Sequence, residues 1–128
     1  MQALVLAAGF GTRFRPATLT TPKPLLPFLG RPILFHLLDH LIAEGVDRFV
    51  VNAHHLGEQL QAMLGDSYEG CPIAYSPEDP ILGTAGAIRR AAEKSLLEEA
   101  PFLVANGDVY TTFGLGRLLR ARQEPGVV

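Results

Sequence analysis

Three unbroken apolar runs, QALVLA at residues 2–7, RFVVNA at 48–53 and PFLVA at 101–105, constrain this chain more than any other feature. A strand with one wet face alternates polar and apolar residues; these runs do not, and so read as strands buried on both faces of a parallel sheet. Parallel neighbours need long crossovers, usually helical. The intervening segments supply them. Pro32 suits a first helical position, Ile33, Leu34, Leu37, Leu38, Leu41 and Ile42 recur at three and four, and Gly45 supplies the stop. A second helix is expected over residues 56–64, with Leu56, Leu60, Met63 and Leu64 on one face, followed by a short strand at 73–76. Gly83 and Thr84 open an alanine-rich helix with Thr84 as N-cap and Arg89 and Arg90 on its surface, and a last helical segment is expected at 115–122.

This alternation predicts an α/β fold, a Rossmann-like open, mainly parallel sheet with helices on both faces. Ligands of such sheets bind beyond the carboxyl ends of the strands, here residues 8–13, 52–55 and 106–108. Val127 and Val128 read as the opening of another buried strand, so the chain is expected to be part of a larger domain.

At 128 residues and 48% hydrophobic the chain can bury one core, and no apolar segment approaches the roughly 18 residues of a membrane span. A lone cysteine, Cys71, allows no internal disulfide and reads as structural, in keeping with a cytoplasmic location. The net charge of -2 hides an asymmetry. Arg13, Arg15, Lys23 and Arg31 all precede the first carboxylate, Asp39, leaving seven cations against thirteen acids in the remainder. One basic segment in an acidic protein argues for a small anionic ligand and against a nucleic-acid-binding face.

That segment is LAAGFGTRFRPATLTTPKPLLPF, residues 6–28. Glycines after a buried strand let backbone N–H groups turn inward around an anion. The loop matches neither common phosphate motif: Phe14 stands where G-x-G-x-x-G needs its third glycine, and no G-K-S/T follows. Pro16, Pro22, Pro24 and Pro27 oppose a regular helix, so positive charge must come from side chains rather than a helix dipole. Arg13 offers a planar fork and Lys23 a point charge held between two prolines. The competing reading is a surface loop with solvated cations.

Asp108 follows the third run through Asn106 and Gly107, at a sheet edge where a carboxylate facing a polyphosphate would hold Mg²⁺. Asn-Gly also signals a hairpin turn, but the run before it does not alternate. Other candidates carry less. His54 and His55 lack partners at zinc-ligand spacing, and His36 and His40 read as helix surface. Glu78 and Asp79, flanked by Pro77 and Pro80, read first as a solvated loop, with Glu78 a secondary candidate for substrate contact.

With these residues placed, the chain resembles the nucleotidylyltransferases that couple a nucleoside triphosphate to a sugar 1-phosphate, among them guanylyl and uridylyl enzymes. LAAGFGTRFRPATLTTPKPLLP resembles the family's nucleotide loop and P-K-P lysine motif; ILGTAGAI and FLVANGDVY resemble two further motifs in the expected order. The resemblance implies Ala7, Ala8 and Gly9 against the nucleoside, Gly11, Thr12 and Arg13 around the triphosphate, and Lys23 on phosphate. It further implies Gly83 and Thr84 at the base, Asn106 at the nucleotide and Asp108 as a Mg²⁺ ligand. Catalysis would rest on Arg13 and Lys23. Where the family often reads Pro-Leu-Gly-Thr, this chain has Pro80-Ile81-Leu82-Gly83-Thr84, one residue longer. Family domains continue into a second half that binds the sugar phosphate, so this chain is expected to bind nucleotide without full turnover. Two other classes compete: a module that senses nucleotide without transfer, and a dinucleotide oxidoreductase, against which the absent third glycine counts.

Overall fold

A computed structural model describes residues 1–116. Its main sheet has the order β5-β6-β4-β1-β7, built from β1 (Gln2–Leu6), β4 (Arg48–Ala53), β5 (Ser67–Tyr68), β6 (Cys71–Pro77) and β7 (Leu103–Asn106). β1 is the hub. It pairs in parallel with β4 (Val5 opposite Val51) and with β7 (Val5 opposite Ala105), and β4 pairs in parallel with β6. Only the short β5 runs antiparallel, against β6.

The three apolar runs are thus the three central parallel partners, and their lack of alternation has the expected cause. Ala3, Val5, Phe49 and Val51 face α1 (Ile33–Ala43) and α2 (Gly57–Leu64), in a core with Leu34, Leu38, Leu41 and Leu60. Leu4 and Val50 face the opposite side, with Ala91 and Ile88 of α3 (Gly83–Glu93). Helices cover both faces. Burying a leucine or valine contributes about 1.5–3 kcal/mol each, so this two-sided stripe dominates the stability of the sheet. No helix among the described residues is long and apolar enough to cross a membrane.

Several expectations shift. The third run begins pairing at Leu103 rather than Pro101, which has no N–H to donate. Pro32 belongs not to α1 but to a two-residue ladder in which β2 (Pro27–Phe28) meets β3 (Arg31–Pro32), an element too short to read from periodicity. Gly45 ends α1 as expected, in a left-handed conformation, with its N–H on the Ile42 carbonyl and that of Val46 on Leu41. Met63 is exposed, not on the buried face of α2, whose core residues are Leu60 and Leu64. Thr84 is not the cap of α3: Leu82 holds that position with no side-chain cap. Arg89 is exposed, but the half-buried Arg90 donates through Nε to the Pro77 carbonyl at 3.0 Å. The expected helix at 115–122 and the strand opening at Val127 lie wholly or mostly outside the described residues.

Candidate active site

Where β1, β4, β6 and β7 end, the chain must leave the sheet, and the four exits surround a cleft of about 200 Å³. β1 delivers Ala7, Ala8 and Gly9 to it, β7 delivers Asn106 and Asp108, and the first turn of α3 brings Gly83 and Thr84. Lys23 enters from the proline-rich loop. Eight of the eleven residues expected from sequence therefore line one cleft. Gly11, Thr12 and Arg13 do not; Thr12 and Arg13 are exposed, and neither Arg13 nor Arg15 makes an ion pair among the described residues.

The proline-rich loop is built as its composition demands. In place of a helix it makes three 3-10 turns, Thr12–Phe14, Ala17–Leu19 and Lys23–Leu25. Thr18, 1% exposed, anchors it by donating its hydroxyl to the Gly11 carbonyl at 2.7 Å. His55 Nε2 donates to the Thr18 carbonyl at 3.0 Å, and Phe10 packs edge-on against His54 at 5.1 Å. The paired histidines thus brace the loop. Pro22, Pro24 and Leu25 are buried around Lys23, so the lysine stem rises from a fixed base.

Lys23 forms an ion pair with Asp108, and its ammonium lies 5.1 Å from the centre of the Phe14 ring. Both charged side chains keep partial access to solvent, at 24% and 31% exposure, so a ligand can reach each. Asn106-Gly107 is a sheet-edge exit and not a hairpin. Asn106 pairs with Leu6 across β1, and the Gly107 N–H donates to the Leu6 carbonyl at 2.9 Å. A Cβ on Gly107 would stand 3.2 Å from that carbonyl oxygen and 3.3 Å from Val5, which is why glycine occupies the step to Asp108.

Two polar side chains of the cleft were not among the residues expected from sequence, and one reverses an expectation. Asn52, the penultimate residue of β4, is 4% exposed and accepts the Ala7 N–H at 2.5 Å. Glu78 is no solvated loop residue: it is also 4% exposed, with Oε1 accepting from Asn52 Nδ2 at 2.8 Å and Oε2 from the Leu82 N–H at 3.0 Å. Its backbone is tied as well, N–H to the Ala53 carbonyl at 2.8 Å and carbonyl to His54 Nδ1 at 2.7 Å. The prolines on either side suggested a loop in water; β6 instead extends to Pro77 and carries Glu78 into the sheet end. Asn52 lay in a strand-end segment marked for function, but an amide in an apolar run carries no sign of its partner.

The profile of the nucleotidyl transferase family matches residues 2–127. This chain belongs to that family. Among characterised nucleotidyl transferases it is 50% identical over 87% of its length to the N-acetylmuramate alpha-1-phosphate uridylyltransferase of Neisseria meningitidis, and covers 48% of that enzyme. It is 38% identical over 98% of its length to the catalytic subunit beta of mannose-1-phosphate guanylyltransferase from Danio rerio, covering 36% of it. The crystal structure of HddC from Yersinia pseudotuberculosis complexed with GMP-PN superposes with a TM-score of 0.81 at 27% identity, over 96% of this chain and 54% of that one. The chain thus spans about a third to a half of these nucleotidyl transferases.

Proposed function

We propose that this chain is the nucleotide-binding part of an enzyme that moves a nucleoside monophosphate from a nucleoside triphosphate to a sugar 1-phosphate. The observation that carries the reading is the convergence of Lys23 and Asp108 with the Ala7–Gly9 and Gly83–Thr84 backbones on one open cleft at the carboxyl edge of the sheet. The nucleoside would lie between the two backbone segments, and its phosphates would run toward Lys23 and the exposed Arg13. Relatives named as guanylyl- and uridylyltransferases favour a guanine or uracil nucleotide.

In the reaction a phosphate oxygen of the sugar phosphate attacks the α-phosphorus, the bond to the bridging oxygen breaks, and pyrophosphate leaves with the electron pair. The nucleophile is already an anion, so no side chain need remove a proton. Alignment and charge stabilisation are what the protein must supply. Lys23 and Arg13 would stabilise charge gathering on the leaving pyrophosphate. Asp108 is a partly exposed carboxylate at the cleft, and among the described residues no group of three or more His, Cys, Asp or Glu forms a ligand cage. One accessible carboxylate fits Mg²⁺, which is usually held by one or two carboxylates together with substrate phosphates. When bound, Mg²⁺ would neutralise phosphate charge. A cytoplasmic setting suits the lone thiol of Cys71.

The test is a thermal-shift screen of ATP, GTP, CTP, UTP and dTTP with Mg²⁺, followed by assay of pyrophosphate release with sugar 1-phosphates. Stabilisation by GTP or UTP supports the reading. No stabilisation by any of the five would refute it. Binding with little or no product is what a nucleotide-binding part alone should give, and product release would exclude a sensing module.

A further inference from the structure

Glu78 is the one carboxylate among the described residues that is buried, and no cation lies within ion-pair distance of it there. Burying an unpaired charge costs several kcal/mol unless hydrogen bonds compensate, and an apolar side chain would pack the same space at lower cost. Both oxygens are compensated, and the donors come from different segments. Oε1 meets Asn52, whose own Oδ1 holds the Ala7 N–H; Oε2 meets the N–H of Leu82, immediately before Gly83 and Thr84. One carboxylate therefore ties together the two backbone edges between which the nucleoside would lie.

We propose that Asn52 and Glu78 are positioning residues that set the spacing of the nucleoside slot without touching the phosphates. The proposal rests on the nucleotide reading above. Its logic lies in the polarity of the chain of bonds. Ala7 and Leu82 contribute backbone N–H groups, which can only donate, so the two side chains between them must accept at both outer ends. Asn52 accepts at one end and donates inward, and Glu78 must then accept twice. Glutamine has one acceptor oxygen. Glu78→Gln therefore leaves a donor facing a donor, either at Leu82 or, if the amides turn over, at Ala7. The arrangement can also be written in reverse: with Asn52→Asp and Glu78→Gln together, Asp accepts from Ala7 and from the Gln amide, and the Gln oxygen accepts from Leu82. Every bond is restored, with the same net charge.

The experiment measures the affinity of the 128-residue chain and its variants for GTP, UTP and inorganic pyrophosphate, each with Mg²⁺, alongside melting temperature. Glu78→Gln is expected to weaken binding of the preferred nucleotide about tenfold or more, as for an unsatisfied buried donor. Pyrophosphate, which has no nucleoside, should bind within about twofold of parent, and the double variant should return nucleotide affinity to within about threefold of parent. Unchanged nucleotide affinity in Glu78→Gln, equal losses for nucleotide and pyrophosphate, or a double variant that recovers melting temperature but not nucleotide affinity would each overturn the proposal. If Glu78→Gln fails to fold, the double variant decides. A parent that binds neither GTP nor UTP refutes the nucleotide reading itself, a failure visible before any variant is made.

Discussion

Gly9 and Gly11 stand two residues apart in one loop, and the structure gives them opposite jobs that alanine substitution should separate. Gly11 has φ +61, and a Cβ there would lie 2.7 Å from Thr18 Cγ2 and 3.1 Å from Lys23 Cβ. A left-handed conformation costs a non-glycine residue about 1–2 kcal/mol, and forcing a methyl into a packed site typically costs about 1–3 kcal/mol. Loss of unfolded-state freedom returns about 0.4–1 kcal/mol. Gly11→Ala should thus destabilise by about 2–4 kcal/mol, lowering the melting temperature by about 8–16 °C at roughly 4 °C per kcal/mol for a domain of this size. Gly9 lines the cleft, is not left-handed, and a Cβ there meets nothing within 4 Å. Gly9→Ala should leave stability within about 0.5 kcal/mol of parent yet weaken GTP or UTP binding about tenfold, because the methyl occupies space the ligand needs. Thermal melts and nucleotide titrations on both variants decide the matter. Thr18→Ser in the Gly11→Ala background keeps the hydroxyl bond to residue 11 and removes the clashing methyl, so it should recover the packing part of the loss but not the conformational part. Equal melting temperatures for the two alanine variants, or parental nucleotide affinity in Gly9→Ala, would refute this division of labour.

Four further outcomes are expected. Lys23→Ala should weaken pyrophosphate binding about 10- to 100-fold while costing no more than about 1 kcal/mol of stability, since its pair with Asp108 is partly exposed; Asp108→Asn should remove the Mg²⁺ dependence of nucleotide binding at similarly small cost in stability, both read by calorimetric titration and urea melts. Ser76→Ala should be neutral or stabilising by up to about 1 kcal/mol, because the Ser76 hydroxyl is fully buried with no partner among the described residues, and a lower urea midpoint would contradict that. The Tyr68 and Tyr75 hydroxyls are pushed up to about 12, first by burial and then by Asp39 and Asp66 respectively. Unfolded tyrosines ionise near pH 10, before the folded ones, so the stability they contribute is whole below about pH 10 and is lost as pH rises toward about 12. Tyr75→Phe, which removes the phenol donating to the Gly65 carbonyl, should flatten that alkaline loss in urea midpoints.

What could be read in advance, and what could not, divides along a physical line. The central strands were legible because burial on both faces leaves a continuous apolar signal, and Val5 and Val51, facing α1 and α2, alternate with Leu4 and Val50, facing α3, inside one unbroken run. Lys23 and Asp108 were legible separately, one from a proline-stiffened cation and the other from a strand exit. Their common place at the strand ends follows from the α/β reading and the family resemblance. What no local pattern encodes is the direct ion pair between them, which depends on β7 lying beside β1, a contact between residues about a hundred positions apart. Glu78 was misread for a related reason. Prolines on both sides are signs of an irregular backbone, and an irregular backbone is usually wet. That inference fails where the end of a parallel strand faces a neighbouring strand end and the start of a helix, because the freed N–H groups there still need acceptors and water is excluded. A carboxylate with two free oxygens is then among the few side chains that can satisfy donors from both directions. The departure from the local rule thus falls in the candidate site, where Glu78 carries conflicting local signals and is nonetheless fully hydrogen-bonded.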